Sequence, residues 1–246
     1  MTTHPPIEAY DEIDSTNAEA RRRAEAGDEG PVWIAAAVQT AGRGRRGRNW
    51  STERGNLAAT LMMTTEAPPL EAAQLSFVAA LAAAELADAC LGPDVARLKW
   101  PNDVLIHGRK CTGILVESGA RADGRLWLAV GIGVNLAHAP PNVERPATAY
   151  AEHMAGRPPE PLAALEVLAA RFEAWRQVWA MQGFAPVARA WSTRALGLGQ
   201  PCEARLPNRT VAGVAEGLDP DGALRLRLDD GGLERITAGE VFFGGA

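Results

Sequence analysis

The sequence has little cysteine, no long uncharged apolar run and no surplus of positive charge. Its three cysteines, Cys90, Cys111 and Cys202, lie far apart and show no spacing typical of a metal site or a disulfide framework. No window reaches the ~20 uncharged apolar residues that a membrane span needs, and the N-terminus lacks the pattern of a secretion signal. These absences predict a cytoplasmic protein with reduced thiols, no membrane partner and no metal-ligand cluster.

The chain also lacks the charge balance of a nucleic-acid binder. Its formal net charge is -5, whereas proteins that bind nucleic acids need excess basic charge to displace counterions from phosphate. We therefore expect no DNA partner. With 246 residues, 47% of them hydrophobic, the chain is long enough for one large domain and one small domain.

Common catalytic patterns are missing as well. The four histidines, His4, His107, His138 and His153, have no reactive serine or cysteine in a recognisable partner pattern. Residues 42–47 do fit the G-x-G-x-x-G pattern of dinucleotide-binding loops, but arginines fill the intervening positions and no helix pattern follows. A triad hydrolase and a dinucleotide-binding enzyme are both disfavoured.

What the sequence does contain is a concentrated basic stretch, Gly-Arg-Gly-Arg-Arg-Gly-Arg-Asn-Trp at residues 42–50. Glycine lets backbone N–H groups approach a ligand, and arginine offers planar, bidentate donors to phosphate or carboxylate. An arginine run by itself is more often a solvated surface or a nucleic-acid patch. Against an acidic background, however, these residues predict a loop that holds anions.

The surrounding pattern predicts a core built from strands and helices. Ser15, Thr16 and Asn17 open a helix that stops near Gly27, and an apolar strand at residues 32–38 leads into the arginine loop. Further strands are predicted at 56–63, 95–100, 104–107, 110–117 and 126–135, and helices at 70–91, 162–179 and 186–191. Residues 137–161 carry six prolines and predict a long loop with a helical turn at 149–154.

The pattern of the sequence changes after residue 195. Short alternating segments at 201–206, 209–217, 224–228 and 233–236 are separated by turns rich in Asp, Gly and Pro. This predicts a small β domain packed onto the larger one, because so small a core is marginal alone. We expect domain ranges of 1–195 and 196–246.

The candidate site residues carry positive charge without an acid–base pair. Such a set suits a reaction in which two anions must meet, for example the attack of a carboxylate on the α-phosphate of ATP. In that reaction the nucleophile is already charged, and the barrier lies mainly in repulsion and alignment. Arginine and lysine side chains supply what the reaction needs.

Four ordered motifs resemble those of the biotin protein ligase family: the arginine stretch at 42–50, Lys-Trp-Pro-Asn-Asp at 99–103, Gly-Ile-Leu-Val-Glu at 113–117 and Gly-Ile-Gly-Val-Asn at 131–135. The resemblance covers residues 8–246. It implies an α+β fold, with a mixed, largely antiparallel sheet flanked by helices as in class II synthetase-like ligase domains. A small SH3-like β-barrel at the C-terminus is also implied.

The resemblance also implies roles for individual residues. Biotin contacts would come from Ser15, Thr16, Asn17, Gln39, Arg43, Gly44, Arg45, Lys99, Gly113, Gly131 and Gly133. ATP or adenylate contacts would come from Arg43, Arg45, Arg46, Arg48, Trp50, Lys99, Asn102 and Asn135. Lys99, Arg43 and Arg45 would be catalytic, with Lys99 neutralising the charge that develops between carboxylate and phosphate.

The implied activity converts biotin and ATP, with Mg²⁺, to biotinyl-5′-AMP and then biotinylates a lysine of a biotin carboxyl carrier protein. Family members that also act as repressors carry an N-terminal DNA-binding domain. Here the similarity begins within about ten residues of Met1, so we expect no repressor function. Two alternatives remain: a lipoate or octanoyl ligase or transferase, and a non-catalytic sensor of biotin or nucleotide. Dimerisation through a sheet edge also stays open.

Overall fold

A seven-stranded mixed sheet forms the centre of the protein. The computed structural model describes residues 4–141 and 146–244. The strands of this sheet are β1 (Ile7–Ile13), β2 (Val32–Gln39), β3 (Leu57–Thr65), β4 (Ala96–Lys99), β5 (Asp103–Ile106), β6 (Arg109–Ala120) and β7 (Leu126–Val134). They lie in the order β1-β2-β3-β7-β6-β5-β4, and among these described pairs β1 and β2 alone run parallel. The predicted fold class is therefore confirmed, although β1 was not predicted.

Helices cover both faces of the sheet. They are α1 (Thr16–Glu25), α2 (Pro69–Ala72), α3 (Leu75–Leu91), α4 (Pro161–Gln182) and α5 (Phe184–Arg194). Alternate side chains of β2 face opposite layers, as the pleat of a strand requires. Trp33 belongs to the main core with α3 and α4, and Ile34 belongs to a smaller cluster under α1. The helix α1 therefore has its own side of the sheet, and the functional site develops on that side.

The helix predicted at residues 70–91 is interrupted. A two-residue turn separates α2 from α3, and Gln74 in that turn is buried. Its amide accepts a hydrogen bond from Trp179 Nε1 at 2.9 Å and donates one to the Pro220 carbonyl at 3.3 Å. Pro69–Leu91 is also, in the described part of the chain, the helical stretch apolar enough to cross a membrane, but 67% of its apolar window is buried inside the fold. It is a core helix that links the two sheets.

The C-terminal residues form a second sheet. Its strands are β8 (Pro201–Arg205), β9 (Thr210–Leu218), β10 (Leu224–Arg227), β11 (Leu233–Ile236) and β12 (Glu240–Phe243), in the antiparallel order β11-β10-β9-β8-β12. The last strand was not predicted. Trp100 fastens this sheet to the larger one, because its buried Nε1 donates to the Gly222 carbonyl at 3.1 Å. The domain boundary at residue 195 stays a prediction.

The long loop between β7 and α4 contains the predicted helical turn, at Tyr150–Glu152. Residues 142–145 of that loop lie outside the described residues. The segment after them returns to the sheet, since the Lys110 N–H donates to the Pro146 carbonyl and the Thr148 N–H donates to the Lys110 carbonyl, both at 2.9 Å. The loop therefore borders the start of β6.

A substitution of Leu98 tests which face of β4 packs against the core. Its side chain is fully buried, whereas its neighbour Arg97 is exposed on the same strand. We expect Leu98→Ala to lower the free energy of unfolding by about 2–5 kcal/mol, because it leaves a cavity in the core. Arg97→Ala, the matched control, should change it by no more than about 0.5 kcal/mol. Urea unfolding followed by circular dichroism measures both values, and equal losses in the two variants would contradict the placement of the strand.

Candidate active site

One cavity of about 540 Å³ opens on the α1 side of the sheet. Fifteen of the sixteen predicted site residues line it, and Lys99 is the exception among the residues described here. The fifteen are Ser15, Thr16, Asn17, Gln39, Arg43, Gly44, Arg45, Arg46, Arg48, Trp50, Asn102, Gly113, Gly131, Gly133 and Asn135. Segments distant in sequence thus meet in one space large enough for a drug-sized ligand. The role of each residue stays a prediction.

A chain of hydroxyl and amide groups forms one end of the cavity. Gln39 Oε1 accepts hydrogen bonds from the Thr16 N–H at 2.8 Å and from Thr16 Oγ1 at 3.1 Å, and Gln39 Nε2 donates to Thr52 Oγ1 at 2.9 Å. Thr60 Oγ1 lies 2.7 Å from both Thr16 Oγ1 and Asn17 Oδ1. These bonds fix the orientation of each amide, so the polar end of the cavity is preorganised.

The start of α1 presents these groups to the cavity. Ser15 is the N-cap of the helix, and its side chain accepts a hydrogen bond from the Ala18 N–H at 3.4 Å. Ser15, Thr16 and Asn17 are all buried, although the helix they begin later exposes Arg21, Arg22 and Glu25. The cap explains the local structure, and the burial of three polar side chains places them in the site rather than on the surface.

Three glycines let side chains lie directly on the sheet. A Cβ at Gly131 would stand 2.1 Å from Asn17 Oδ1, and a Cβ at Gly133 would stand 2.3 Å from the Trp50 ring. At Gly113 a Cβ would meet Trp50 at 2.8 Å and Lys110 Nζ at 3.2 Å. Glycine is required at these positions because Asn17, Trp50 and Lys110 occupy the space above the backbone. The close approach that was predicted for a ligand is made, in this structure, by these side chains.

The arginine stretch folds as a short hairpin over the cavity. Arg43 and Asn49 pair across it, Gly44 N–H donates to the Arg48 carbonyl at 2.7 Å, and Trp50 N–H donates to the Gly42 carbonyl at 2.9 Å. We call residues 42–50 the arginine hairpin. Its tip has left-handed backbone at Arg46, with φ of 60°. The hairpin lies in the connection between β2 and β3, as the sequence pattern on either side of it predicted.

Each of three arginines in the hairpin meets a partner from elsewhere in the fold. Arg43 forms an ion pair with Glu117 of β6 at 3.5 Å, and Arg45 donates to Asn102 Oδ1 at 3.2 Å. Arg48 forms an ion pair with Glu240 of β12. Burial lowers the pKa of the Arg45 guanidinium, with Arg46 and Arg48 lowering it further and Asp103 opposing the shift. A guanidinium still stays charged at neutral pH, so the site favours an anion.

Lys99 and Lys110 lie in different places. The Lys99 ammonium lies 5.4 Å from the centroid of the Phe242 ring in the C-terminal sheet, outside the cavity lining. Lys110 lines the cavity, with its Nζ 2.5 Å from Asp103 Oδ1 and 5.5 Å from the centroid of the Trp50 ring. Among the described residues, Lys110 lines the cavity and Lys99 does not, while the role predicted for Lys99 stays a prediction.

A β-bulge explains why sequence reasoning missed Lys110. In a regular strand, Lys110 and Gly113 would face opposite sides of the sheet, since they are three residues apart. The register between β5 and β6 shifts, however, so that Val104 pairs with Thr112 and Leu105 pairs with Lys110. Cys111 is the extra residue, and it is buried in the core. The bulge turns the Lys110 side chain to the cavity face.

Some polar residues that contact the predicted ones were not predicted either. Thr60 lies in an apolar strand pattern, where a buried threonine gives no distinct signal. Glu117 joins two site residues, since Asn17 Nδ2 donates to its Oε2 at 2.8 Å while Arg43 pairs with its Oε1. Glu240 comes from the strand that was not predicted. For Glu117 a signal existed, because it ends the Gly-Ile-Leu-Val-Glu motif.

Asn102 and Asn135 are held by backbone contacts. Asn102 Nδ2 donates to the Ile114 carbonyl at 2.6 Å, and Asn135 Nδ2 donates to the Thr148 carbonyl at 3.1 Å. Within residues 4–141 and 146–244, no group of three His, Cys, Asp or Glu side chains could hold a metal ion. Asp103, one of the carboxylates that line the cavity, is already paired with Lys110. These side chains do not form a resident metal site.

Comparison with known proteins agrees with this arrangement. Residues 11–135 match the biotin/lipoate A/B protein ligase family, and residues 197–244 match the biotin protein ligase C-terminal domain. The chain is 46% identical to a biotin–[acetyl-CoA-carboxylase] ligase of Paracoccus denitrificans, over 94% of this chain and 98% of that protein.

Solved structures show the same fold. A biotin protein ligase from Aquifex aeolicus in complex with biotin and ATP has a TM-score of 0.82 at 24% identity, covering 97% of this chain and 99% of that one. The Leishmania major enzyme in complex with biotinyl-5-AMP has a TM-score of 0.67 at 26% identity, covering 95% and 99%. On its two family matches and its close relative, the chain belongs to the biotin protein ligase family.

Proposed function

We propose that the protein joins biotin to ATP, forming biotinyl-5′-AMP and pyrophosphate, and then transfers the biotinyl group to a lysine of a biotin carboxyl carrier protein. The observation that carries this proposal is the single cavity that joins a polar, hydrogen-bonded end to an arginine hairpin. A ligand with a polar ring at one end and a carboxylate at the other fits such a cavity. The close relatives are ligases of biotin, which favours biotin over lipoate.

The hydroxyl and amide end suits the ureido ring of biotin. That ring has both N–H donors and a carbonyl acceptor, and an apolar wall would leave them unpaired at considerable cost. Thr16, Gln39 and Asn17 offer matching groups in fixed orientations. With the ring there, the valeryl chain extends along the cavity and its carboxylate points toward the arginine hairpin.

The other end of the cavity suits the phosphates. Five basic side chains line the cavity in the described residues, namely Arg43, Arg45, Arg46, Arg48 and Lys110. We assign to Lys110 the neutralising role that the sequence suggested for Lys99, because Lys110 lines the cavity, as Arg45 and Asn102 also do. Asp103 holds the Lys110 ammonium in place at 2.5 Å. Charge stabilisation of this kind is strong when donors are preorganised.

The chemistry follows in two steps. A carboxylate oxygen of biotin attacks the α-phosphorus of ATP, a new P–O bond forms, and the bond to the β-phosphate breaks to release pyrophosphate. The carrier lysine, as a neutral amine, then attacks the acyl carbon; an amide forms, AMP leaves, and the amine loses one proton. The first step brings anions together, which the basic side chains favour, and the second needs mainly positioning and protection from water.

Magnesium enters this proposal with the nucleotide. Because the cavity carboxylates do not form a metal cluster, we expect Mg²⁺ to be carried on the phosphates of ATP rather than by dedicated side chains. We also propose a cytoplasmic location, where ATP and carrier proteins are present. We also propose that two copies of the protein form a homodimer through a sheet edge.

The choice of substrate gives the first test of this function. With ATP and Mg²⁺, we expect the protein to release pyrophosphate when biotin is added and not when lipoate is added. With a biotin carrier domain present, intact-mass measurement should show one added biotinyl group on the carrier. Pyrophosphate release with lipoate alone would favour a lipoate ligase. Binding of biotin without turnover would favour a sensor.

A pair of lysine variants tests the assignment of Lys110. We expect Lys110→Ala to lower the rate of biotinyl-5′-AMP formation by at least about a hundredfold, because it removes charge stabilisation from the phosphate end. Lys99→Ala should lower it by at most about tenfold. Single-turnover measurement of adenylate with radiolabelled ATP compares them. If Lys99→Ala lowers the rate of biotinyl-5′-AMP formation more than Lys110→Ala does, the sequence-based assignment to Lys99 is correct.

A substitution of Gly131 tests whether the hydroxyl and amide end of the cavity binds biotin. An alanine methyl there would displace Asn17, whose Oδ1 lies 2.1 Å from the position of the added carbon. We expect Gly131→Ala to raise the KM for biotin about tenfold, with the KM for ATP changing less than about twofold. The matched control is Gly156→Ala, because a Cβ there meets no heavy atom within 4 Å. Unchanged biotin kinetics in a folded Gly131→Ala protein would show that Asn17 does not orient the substrate.

A further inference from the structure

We propose that Glu240 is a positioning residue that ties the arginine hairpin to the C-terminal domain and thereby retains the biotinyl-adenylate until the carrier arrives. The inference deepens the proposed function and rests on it for the identity of the retained intermediate. Glu240 lies in β12, near the end of the chain, and its carboxylate pairs with Arg48 across the boundary between the two sheets.

A carboxylate in this position calls for a physical reason. Within the described residues after 196, Gly239 and Glu240 line the cavity, and the same cavity is lined by the four arginines of the hairpin. An uncompensated negative charge there would repel ATP. Glu240 is only 16% exposed, and burying a carboxylate is costly unless it is paired. Pairing with Arg48 reduces both the repulsion of ATP and the cost of burying the carboxylate, and it joins the two domains.

The strand that carries Glu240 is held within the C-terminal sheet, and that sheet contacts the larger one. Phe242, two residues on, lies between the Lys99 ammonium at 5.4 Å and the Arg205 guanidinium at 4.1 Å from its ring centroid. Trp100 and Gln74 donate hydrogen bonds to the carbonyls of Gly222 and Pro220, in the turn between β9 and β10. Because β12 pairs with β8 in this sheet, the ion pair connects the hairpin to a part of the fold that these contacts hold.

The hairpin needs such a connection. Its own backbone bonds are few, and its like-charged side chains repel one another. Arg43 and Arg45 are held by the larger sheet, through Glu117 and Asn102, at the start and middle of the hairpin. Arg48 lies at its far end, and Glu240 holds it there. Loss of this contact would let the hairpin open more often, and the mixed anhydride would escape or meet water.

Trypsin provides a direct readout, because opening exposes the bonds after Arg43, Arg45, Arg46 and Arg48. Cleavage of a transiently open segment tracks the population of its open form. In the full-length protein without ligand, we expect Glu240→Gln to be cut in the hairpin about fivefold faster than the wild type, as measured by intact mass. The matched control is Glu203→Gln, which removes the same charge from the same sheet, where Glu203 pairs with Arg205 at 3.6 Å.

A charge exchange distinguishes an ion pair from a general loss of structure. The double variant Arg48→Glu, Glu240→Arg should return cleavage after Arg43, Arg45 and Arg46 to within about twofold of the wild-type rate. Glu240→Gln cleavage equal to the wild type would overturn the proposal. Cleavage that rises equally after Arg205 and Arg209 would overturn it too, and so would failure of the charge exchange.

Retention of the intermediate is measured separately. With biotin, ATP and Mg²⁺ but no carrier, we expect Glu240→Gln to release biotinyl-5′-AMP into solution about fivefold faster than the wild type or Glu203→Gln, as measured by rapid filtration and chromatography. Release at the wild-type rate overturns the role in retention. A wild-type protein that forms no adenylate overturns the proposed function instead, while the tryptic readout, which needs no ligand, still decides whether the tether exists.

Discussion

Four arginines at residues 43, 45, 46 and 48 repel one another, and the active site depends on how that repulsion is balanced. The balance is distributed: one partner lies on β6, one in the turn after β4 and one on β12 of the C-terminal sheet. Because the partners belong to different parts of the fold, the hairpin is positioned only when both sheets are assembled. The small domain is therefore part of the site, although its strands lie outside the catalytic sheet.

The floor of the cavity depends on a second constraint, the absence of side chains. Gly131, Gly133 and Gly113 lie on two neighbouring strands and face the cavity, so Asn17 and Trp50 rest directly on the backbone. The absence of side chains at these glycines deepens the cavity, so that one ligand can reach both of its ends. Asn17 also connects the ends, since it bonds to Glu117, which pairs with Arg43. A change at the polar end of the cavity can thus reach the hairpin through a single carboxylate.

Much of this could be predicted from the sequence, and the failures have definite causes. The arginine hairpin, the cap at Ser15 and the glycine-bearing strands carry strong local signals, and the fold class followed from the family resemblance that the ordered motifs carry. The strands β1 and β12 were missed because their residues are mostly half exposed or lie among glycines, so neither shows clean alternation. The break in the helix after α2 was missed because its cause, the contacts of Gln74, lies in distant residues.

The single extra residue in β6 has a consequence for how this site tolerates change. The side-chain direction of Lys110 is set by the number of residues between it and Gly113, and that count includes the bulge at Cys111. A substitution at Cys111 would alter packing but keep the count. Deleting Cys111 would remove the bulge and leave Lys110 two residues from Gly113, and a regular strand places residues two apart on the same face. The cavity face of Lys110 therefore survives either change, whereas straightening the bulge with all of its residues kept would turn the ammonium toward the core.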